Sequence, residues 1–216
     1  MRTLIAIPCM DMLHTDFCRS LLSLEIFGEV QYTFAQSSLI YDARNKLCSV
    51  AEEGGFDRVL WLDSDMIVPP SMFKRMHEHL DMGKDFITGL YFGRKPPFNP
   101  IIYRRCWCSY EERFPTPHAD PFEDYPRDEL FRVDACGFGA VMTSVKLLRA
   151  VEDTFGAPFA PQGGFGEDIA FCLRAKELGA ELWCDSTIKC GHVGMAVYSE
   201  EAFSAMRAQI GHAGGA

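Results

Sequence analysis

Asp63 and Asp65 are separated by one residue and follow directly on the apolar run Val59-Leu60-Trp61-Leu62. Four consecutive apolar residues read as a buried strand, and open α/β sheets bind ligands beyond the carboxyl ends of their strands. Two carboxylates placed there can hold a hard divalent cation against a diphosphate. Asp is also a common turn former or N-cap where a strand ends, so the pair alone leaves both readings open. A second acidic pair, Glu167-Asp168, opens a helical pattern after the glycine-rich stretch Gly163-Gly164. Acidic residues there either carry chemistry or complement the helix dipole. His192 stands between Gly191 and Gly194 after a short strand, as an imidazole ligand or as a surface histidine.

Alternating strands and helices must position these groups. Residues 3–7 read as a first buried strand stopped by Pro8, and residues 15–24 as a helix capped by Thr15 or Asp16. Residues 30–35 alternate as a second strand. Ile40, Ala43, Leu47, Val50 and Ala51 recur at spacings of three and four, one helical face that Gly54-Gly55 ends. After the strand of the acidic pair come Pro69-Pro70, a helix with Met72, Phe73, Met76 and Leu80 inward, and a strand over 85–91. The alternation predicts an α/β fold with a mostly parallel sheet flanked by helices on both faces.

The middle of the chain differs. Residues 93–128 contain seven prolines, and read as a long loop with a short edge strand over the active end of the sheet. Its aromatics Tyr103, Trp107, Tyr110, Phe114 and Phe122 suit either an acceptor-facing lid or a small core of the loop's own. Residues 131–143 read as a strand in which Gly137 and Gly139 mark close approach of a ligand, a bulge, or tight packing. A helix over 167–178 follows, with Phe171, Ala175 and Leu178 on one face, then short strands over 181–185 and 187–190 leading to His192. A tail helix over 199–210 has Phe203, Met206 and Ile210 spaced to dock on the body.

With 216 residues, 48% hydrophobic and 24% charged, the chain suits one globular domain spanning 1–216. The balance of 21 basic to 30 acidic groups argues against a surface that tracks nucleic-acid phosphates. Nine cysteines, an odd number with no Cys-x-x-Cys pair, argue against a disulfide framework and for a reducing cytoplasm. Cys106-Trp107-Cys108 lacks Cys or His partners at zinc-finger spacing. The first apolar stretch is too short for a signal peptide, and no window reaches the roughly 20 apolar residues of a membrane span.

In order, AIPCM, YDARNKL, VLWLDSDMIVPP, FITGLYFGRKPP, ACGFGAVMTS and GFGEDIAFCLRAKELGAELWCDSTIKCGHVG make the chain similar to a GT-A type nucleotide-sugar glycosyltransferase. It most resembles the family 2-like enzymes of bacterial and phage genomes. The likeness spans nearly the whole chain except the Pro-rich middle and the last residues. It implies a Rossmann-like GT-A fold and transfer of a sugar, hexosyltransferase-like, from a nucleotide-diphosphate sugar to an acceptor hydroxyl. Asp63 and Asp65 match the Asp-X-Asp motif, the second carboxylate on the metal and the first on the ribose or a metal-bound water. His192 matches a late ligand to the same ion. Asp168 matches the base of inverting members, with Glu167 beside it holding acceptor or sugar hydroxyls. Pro8 matches the region lining the nucleotide base, and Arg44 a helix near the nucleotide.

These residue types suit the implied reaction. Mg²⁺ or Mn²⁺ on oxygen ligands stabilises the departing diphosphate, and a histidine ligand leans towards Mn²⁺. A carboxylate can take the proton of the attacking hydroxyl. Base and nucleophile would both be carboxylates, so a retaining route stays open. UDP is the default donor by likeness. A glycan, lipid-linked precursor, protein or modified nucleic acid all remain possible acceptors, and the sequence does not specify the oligomeric state. Two rival readings are a haloacid dehalogenase-type phosphatase and a non-catalytic sugar-nucleotide-binding module. The former usually carries its Asp-X-Asp on the first strand, whereas two β–α units precede it here.

Overall fold

The apolar run before the acidic pair forms an interior strand of a seven-stranded sheet. The computed structural model describes residues 1–110 and 114–194. In chain order, β1 (Arg2–Cys9), α1 (Thr15–Leu22), β2 (Glu29–Gln36), α2 (Ile40–Glu53) and β3 (Arg58–Leu62) lead to the acidic pair. β4 (Met66–Ile67), α3 (Met72–Asp81) and β5 (Phe86–Leu90) follow, then β6 (Ile102–Ser109), β7 (Thr116–Pro121), β8 (Leu130–Val133) and β9 (Ala135–Cys136). The described chain ends with β10 (Ala140–Ser144), α4 (Val145–Phe155), α5 (Glu167–Glu177), β11 (Leu182–Lys189) and β12 (Gly191–His192).

The sheet order is β2-β1-β3-β10-β5-β11-β8. β1 runs parallel to β2 and β3, and β5 runs parallel to β11. β10 lies antiparallel between β3 and β5, and β8 antiparallel against β11. The sheet is therefore mostly parallel, with helices on both faces. Phe17, Leu21, Phe73 and Met76 of α1 and α3 pack with Ile5, Leu60 and Ile87 on one side. Leu47, Leu148, Val151 and Phe171 of α2, α4 and α5 pack with Leu4, Val59 and Trp61 on the other. Each such fully buried side chain contributes about 1.5–3 kcal/mol. Alternate residues of β1 and β3 thus feed opposite cores, as the pleat requires.

Several expectations are corrected. Pro8 does not stop β1, which continues to Cys9. Pairing with β3 ends at Ala6, so Pro8 lies where that side of the strand is an open edge and a missing N–H is tolerated. α1 ends at Leu22, and its cap is His14, whose side chain accepts the Asp16 N–H. The strand over 131–143 is three strands in two sheets, because the chain leaves β8 at the sheet edge, pairs β9 with β6, and re-enters between β3 and β5 as β10. The Pro-rich middle holds more strand than the one short edge strand expected: β6 and β7 form a hairpin that joins β9 in a three-stranded sheet. Pro117 and Pro121 fall on its edge strand β7. The strands expected at 181–185 and 187–190 are one strand with a register shift between Asp185 and Lys189. Leu178 caps α5 and is partly exposed. α4 had no counterpart among the expected elements. Ser144 caps it by accepting the Leu147 N–H.

The nine cysteines are free thiols. Among the described residues no helix is long and apolar enough to cross a membrane. The expected tail helix over 199–210 lies outside the described residues.

Candidate active site

Asp63 leaves the end of β3 held by backbone. Its N–H donates to the Gly139 carbonyl (3.0 Å), and the Met66 N–H donates to the Asp63 carbonyl (3.1 Å), closing a turn that presents Asp63 and Asp65. The Gly139 N–H in turn donates to the Tyr91 hydroxyl (3.1 Å). A Cβ at Gly137 would overlap that hydroxyl, and one at Gly139 would come within 3.0 Å of the Tyr91 ring. The two glycines are therefore explained by tight packing around Tyr91, which buttresses the acidic turn.

The two carboxylates face different partners. Asp63 accepts from Arg44 Nη2 at 2.8 Å, while Arg44 Nε reaches Glu167 Oε1 at 3.3 Å. Arg44, 2% exposed, lies over the rings of Phe138 and Phe159 at 5.4 and 5.8 Å. These rings belong to a cluster with Trp61 and Phe171, packed at centroid separations of 4.9–6.1 Å. A guanidinium on α2 thus bridges the β3 carboxylate to the start of α5. Its charge is kept by the acids around it, which outweigh the burial that opposes ionisation. Nη1 is buried with no hydrogen-bond partner among the described residues. Arg44 is thus turned into the body, against Asp63 and Glu167.

Asp65 lies on the outer side. Arg94 Nη1 stands 2.6 Å from Asp65 Oδ2, and His192 Nε2 stands 3.5 Å from the same oxygen. The short ladder of β12 on β4 and the Val193 N–H donated to the Asp65 carbonyl (2.8 Å) bring His192 there from the far end of the chain. His192 Nδ1 lies 2.9 Å from the Phe92 carbonyl, which can only accept. Nδ1 therefore carries the proton, and in the neutral ring Nε2 presents a lone pair toward Asp65. The hydrogen bond to Asp65 raises the His192 pKa. Partial burial pushes Asp65 up, but His192 and Arg94 outweigh it and its pKa falls below the ordinary value. Asp63 goes the other way, raised by burial with Arg44 opposing.

A cavity of about 320 Å³ opens in front of this turn, lined among others by Pro8, Ser37, Ser38, Asp63, Asp65 and Arg94. Asp168 lies in the first turn of α5, outside the cavity lining, its Oδ1 accepting the Ile169 N–H at 2.7 Å. Burial, then the neighbouring negative charge of Glu167, raises its pKa to about 6. A carboxylate so shifted is ionised near neutral pH yet basic enough to accept a proton.

The structure thus brings Asp65 and His192 together, joins Asp63 to Glu167 through Arg44, and puts Pro8 in the cavity wall. It does not gather Asp63, Asp65 and His192 into one ligand set: among the described residues no group of three or more His, Cys, Asp or Glu side chains is close enough to hold a metal by itself. Arg94 and Tyr91 were missed from sequence. Both lie in the string FITGLYFGRKPP, where one arginine in a Pro-rich stretch and one tyrosine at a strand end carry no spacing signal.

No family model matches the chain, and no curated protein matches it by sequence. Among solved structures it is similar to A197 from STIV, with a TM-score of 0.65 and 19% identity over 90% of this chain and 87% of that one. It is also similar to GalNAc-T7, solved with UDP, GalNAc and Mn²⁺. That TM-score is 0.60 at 10% identity, over 89% of this chain and 44% of the other. The likeness is one of fold, a GT-A-like mixed α/β arrangement around the sheet described above.

Proposed function

We propose that the protein is a metal-dependent, inverting glycosyltransferase of the family 2-like group, using a nucleotide-diphosphate sugar, with UDP the favoured nucleotide. The observation that carries this reading is the ion-pair chain Asp63–Arg44–Glu167. It ties the acidic turn at the 320 Å³ cavity to the helix start that holds Asp168. Donor and base sides of one reaction are thereby fixed to each other by a buried cation. The similar structure of GalNAc-T7 contains UDP and Mn²⁺, which agrees with this choice of ligands.

The donor set around Asp65 fits a divalent cation. His192 Nε2 and a carboxylate oxygen of Asp65 face each other across 3.5 Å, and a cation bound between them would take the place of the Nε2 proton. Asp65 and His192 would hold the ion, and Asp63 beside them would face a metal-bound water or the ribose. Mn²⁺ suits a mixed oxygen and imidazole set. When bound, the ion supplies Lewis-acid stabilisation of the leaving diphosphate. Pro8 and its strand end wall the base side of the cavity. Asp168 takes the proton of the acceptor hydroxyl as it attacks, and Glu167 orients hydroxyls beside it. The β6–β7 hairpin, whose Trp107 is exposed while Tyr103 packs on the core, is the acceptor-side element. The nine free thiols fit a reducing cytoplasm.

A thermal-shift panel of UDP, GDP, CDP and ADP, each with and without Mn²⁺, tests the reading. Ligand at about a hundred times its Kd adds roughly 2.7 kcal/mol to stability. A metal-dependent shift with one nucleotide, lost in Asp65→Ala, supports it. Binding without any transfer or hydrolysis of the sugar nucleotide points instead to a non-catalytic module, and no shift with any nucleotide removes the donor site.

A further inference from the structure

Arg94 has no role in the reaction as set out above, yet it makes the shortest ion pair of the cavity mouth, 2.6 Å from Asp65 Oδ2. The pair is not a buried strut. Arg94 is 50% exposed and Asp65 30%, so the contact can be exchanged for another without opening the core. The side chain is nonetheless placed. Gly194 packs against its stem, since a Cβ there would come 3.1–3.2 Å from Arg94 Cβ, Cγ and Cδ. Nη1 also lies 3.5 Å from the Val193 carbonyl. The guanidinium therefore occupies the space between Asp65 and the segment carrying His192, where a divalent cation would bind.

Charge decides what happens when ligand arrives. Among the described residues lining the 320 Å³ cavity, Asp63 and Asp65 are the acids and Arg94 is the one permanently charged cation. The positive charge of Arg44 is spent on Asp63 and Glu167 behind the wall. A diphosphate entering a wall with two carboxylates needs positive charge facing it, and a guanidinium presents a planar fork suited to phosphate oxygens. A divalent ion binding Asp65 removes the reason for Arg94 to stay there.

We propose that Arg94 exchanges partners. In the empty site it neutralises Asp65 and competes with the divalent cation. With the cation on Asp65 it turns to the diphosphate of the donor and becomes a binding residue for it. Arg94 thereby makes cation binding and nucleotide binding favour each other: metal frees the guanidinium, and the diphosphate keeps it from returning. This rests on the glycosyltransferase reading only in assigning a cation and a nucleoside diphosphate to this cavity.

The exchange predicts effects of opposite sign from one substitution, which a merely structural role cannot give. Mn²⁺ affinity is measured by titration calorimetry on wild type, Arg94→Gln and Arg94→Lys without nucleotide, and UDP, GDP, CDP and ADP affinities are then measured at saturating Mn²⁺. Arg94→Gln is expected to bind Mn²⁺ alone about two- to fivefold more tightly, the range for losing a half-exposed competing ion pair. It is expected to bind the diphosphate about tenfold more weakly. Arg94→Lys, which keeps the charge, moves both values back toward wild type. Unchanged or weaker Mn²⁺ binding by Arg94→Gln overturns the exchange while leaving the donor site standing. Wild type that binds neither Mn²⁺ nor any of UDP, GDP, CDP and ADP overturns the functional reading and this inference together.

Discussion

Arg44 and Asp63 form an ion pair 2.8 Å long in which the arginine is almost wholly enclosed by protein. Removing a buried cation leaves its acids uncompensated, at a cost of about 3–5 kcal/mol. Arg44→Met should lose stability of that order in urea melts, because Asp63 and Glu167 lose their shared countercharge. Arg44→Lys should recover little of it, since one ammonium cannot present the fork that reaches Asp63 and Glu167 from separate nitrogens. Near-native melts for Arg44→Met would remove the strut from the description of the site.

Asp168 should trade stability against activity. Its folded pKa, about 6, lies above the ordinary 3.8, so the fold favours its protonated form. That contribution is fully present below pH 4 and is lost as the pH rises through 6. At pH 7 the ionised group is therefore a burden of about 1–3 kcal/mol. Asp168→Asn should abolish transfer, keep nucleotide binding, and melt later than wild type at pH 7. Wild-type kcat/KM should climb with pH through about 6 as the base ionises. Full transfer by the variant would end the assignment of Asp168 as base.

His77 should act in the opposite sense. It is fully buried on α3, accepting at Nδ1 from Arg58 (2.7 Å) with Nε2 facing Thr3 Oγ1 (3.3 Å). Burial first, and the Arg58 charge second, lower its pKa to about 4 from 6.5. The fold thus favours the neutral ring, and this contribution is present above pH 6.5 and lost as the pH falls toward 4. The two groups offset each other between pH 4 and 6. His77→Gln should flatten the acid limb of the stability profile by about 2–3 kcal/mol, and Asp168→Asn should steepen it. Urea titrations at pH 4, 5, 6 and 7 would show both slopes; parallel profiles for all three proteins would refute the pairing.

Gly137→Ala tests the support behind the acidic turn. The added methyl meets the Tyr91 hydroxyl, which holds the Gly139 N–H, and the Gly139 carbonyl holds the Asp63 N–H. Overpacking of this kind costs about 1–3 kcal/mol. Nucleotide affinity should fall as well, although Gly137 is absent from the cavity wall. Tyr91→Phe, which removes the hydroxyl, should restore room in the double variant. A stability loss with unchanged nucleotide affinity would separate Tyr91 from the site.

The elements up to β5, apart from the two-residue β4, were legible because their periodicities are local: buried runs at 59–62, three-and-four spacing on α2, and Pro69-Pro70 before α3. The fold class followed from their alternation. What stayed hidden depends on partners distant in sequence. That residues 140–144 pair between β3 and β5 is invisible in the apolar run Ala140-Val141-Met142, which suits any buried strand. Prolines hid the β6–β7 hairpin, because a missing N–H disqualifies an interior strand but not an edge. In the site, acid pairs were visible by type, while the inward turn of Arg44 and the reach of Arg94 to Asp65 are three-dimensional facts with no fixed spacing.

The central place of β10 has a consequence for synthesis of the chain. Until residue 144 has left the ribosome, β3 and β5 each end in an unpaired edge, and nothing between them completes the sheet. A nascent or truncated chain stopping short of Ala140 therefore carries two sticky open edges at its centre, the condition in which strands recruit other chains. Arrival of a five-residue strand closes both at once and sets the acidic turn, anchored to Gly139, in place, while the far edge of β5 stays open until β11 follows.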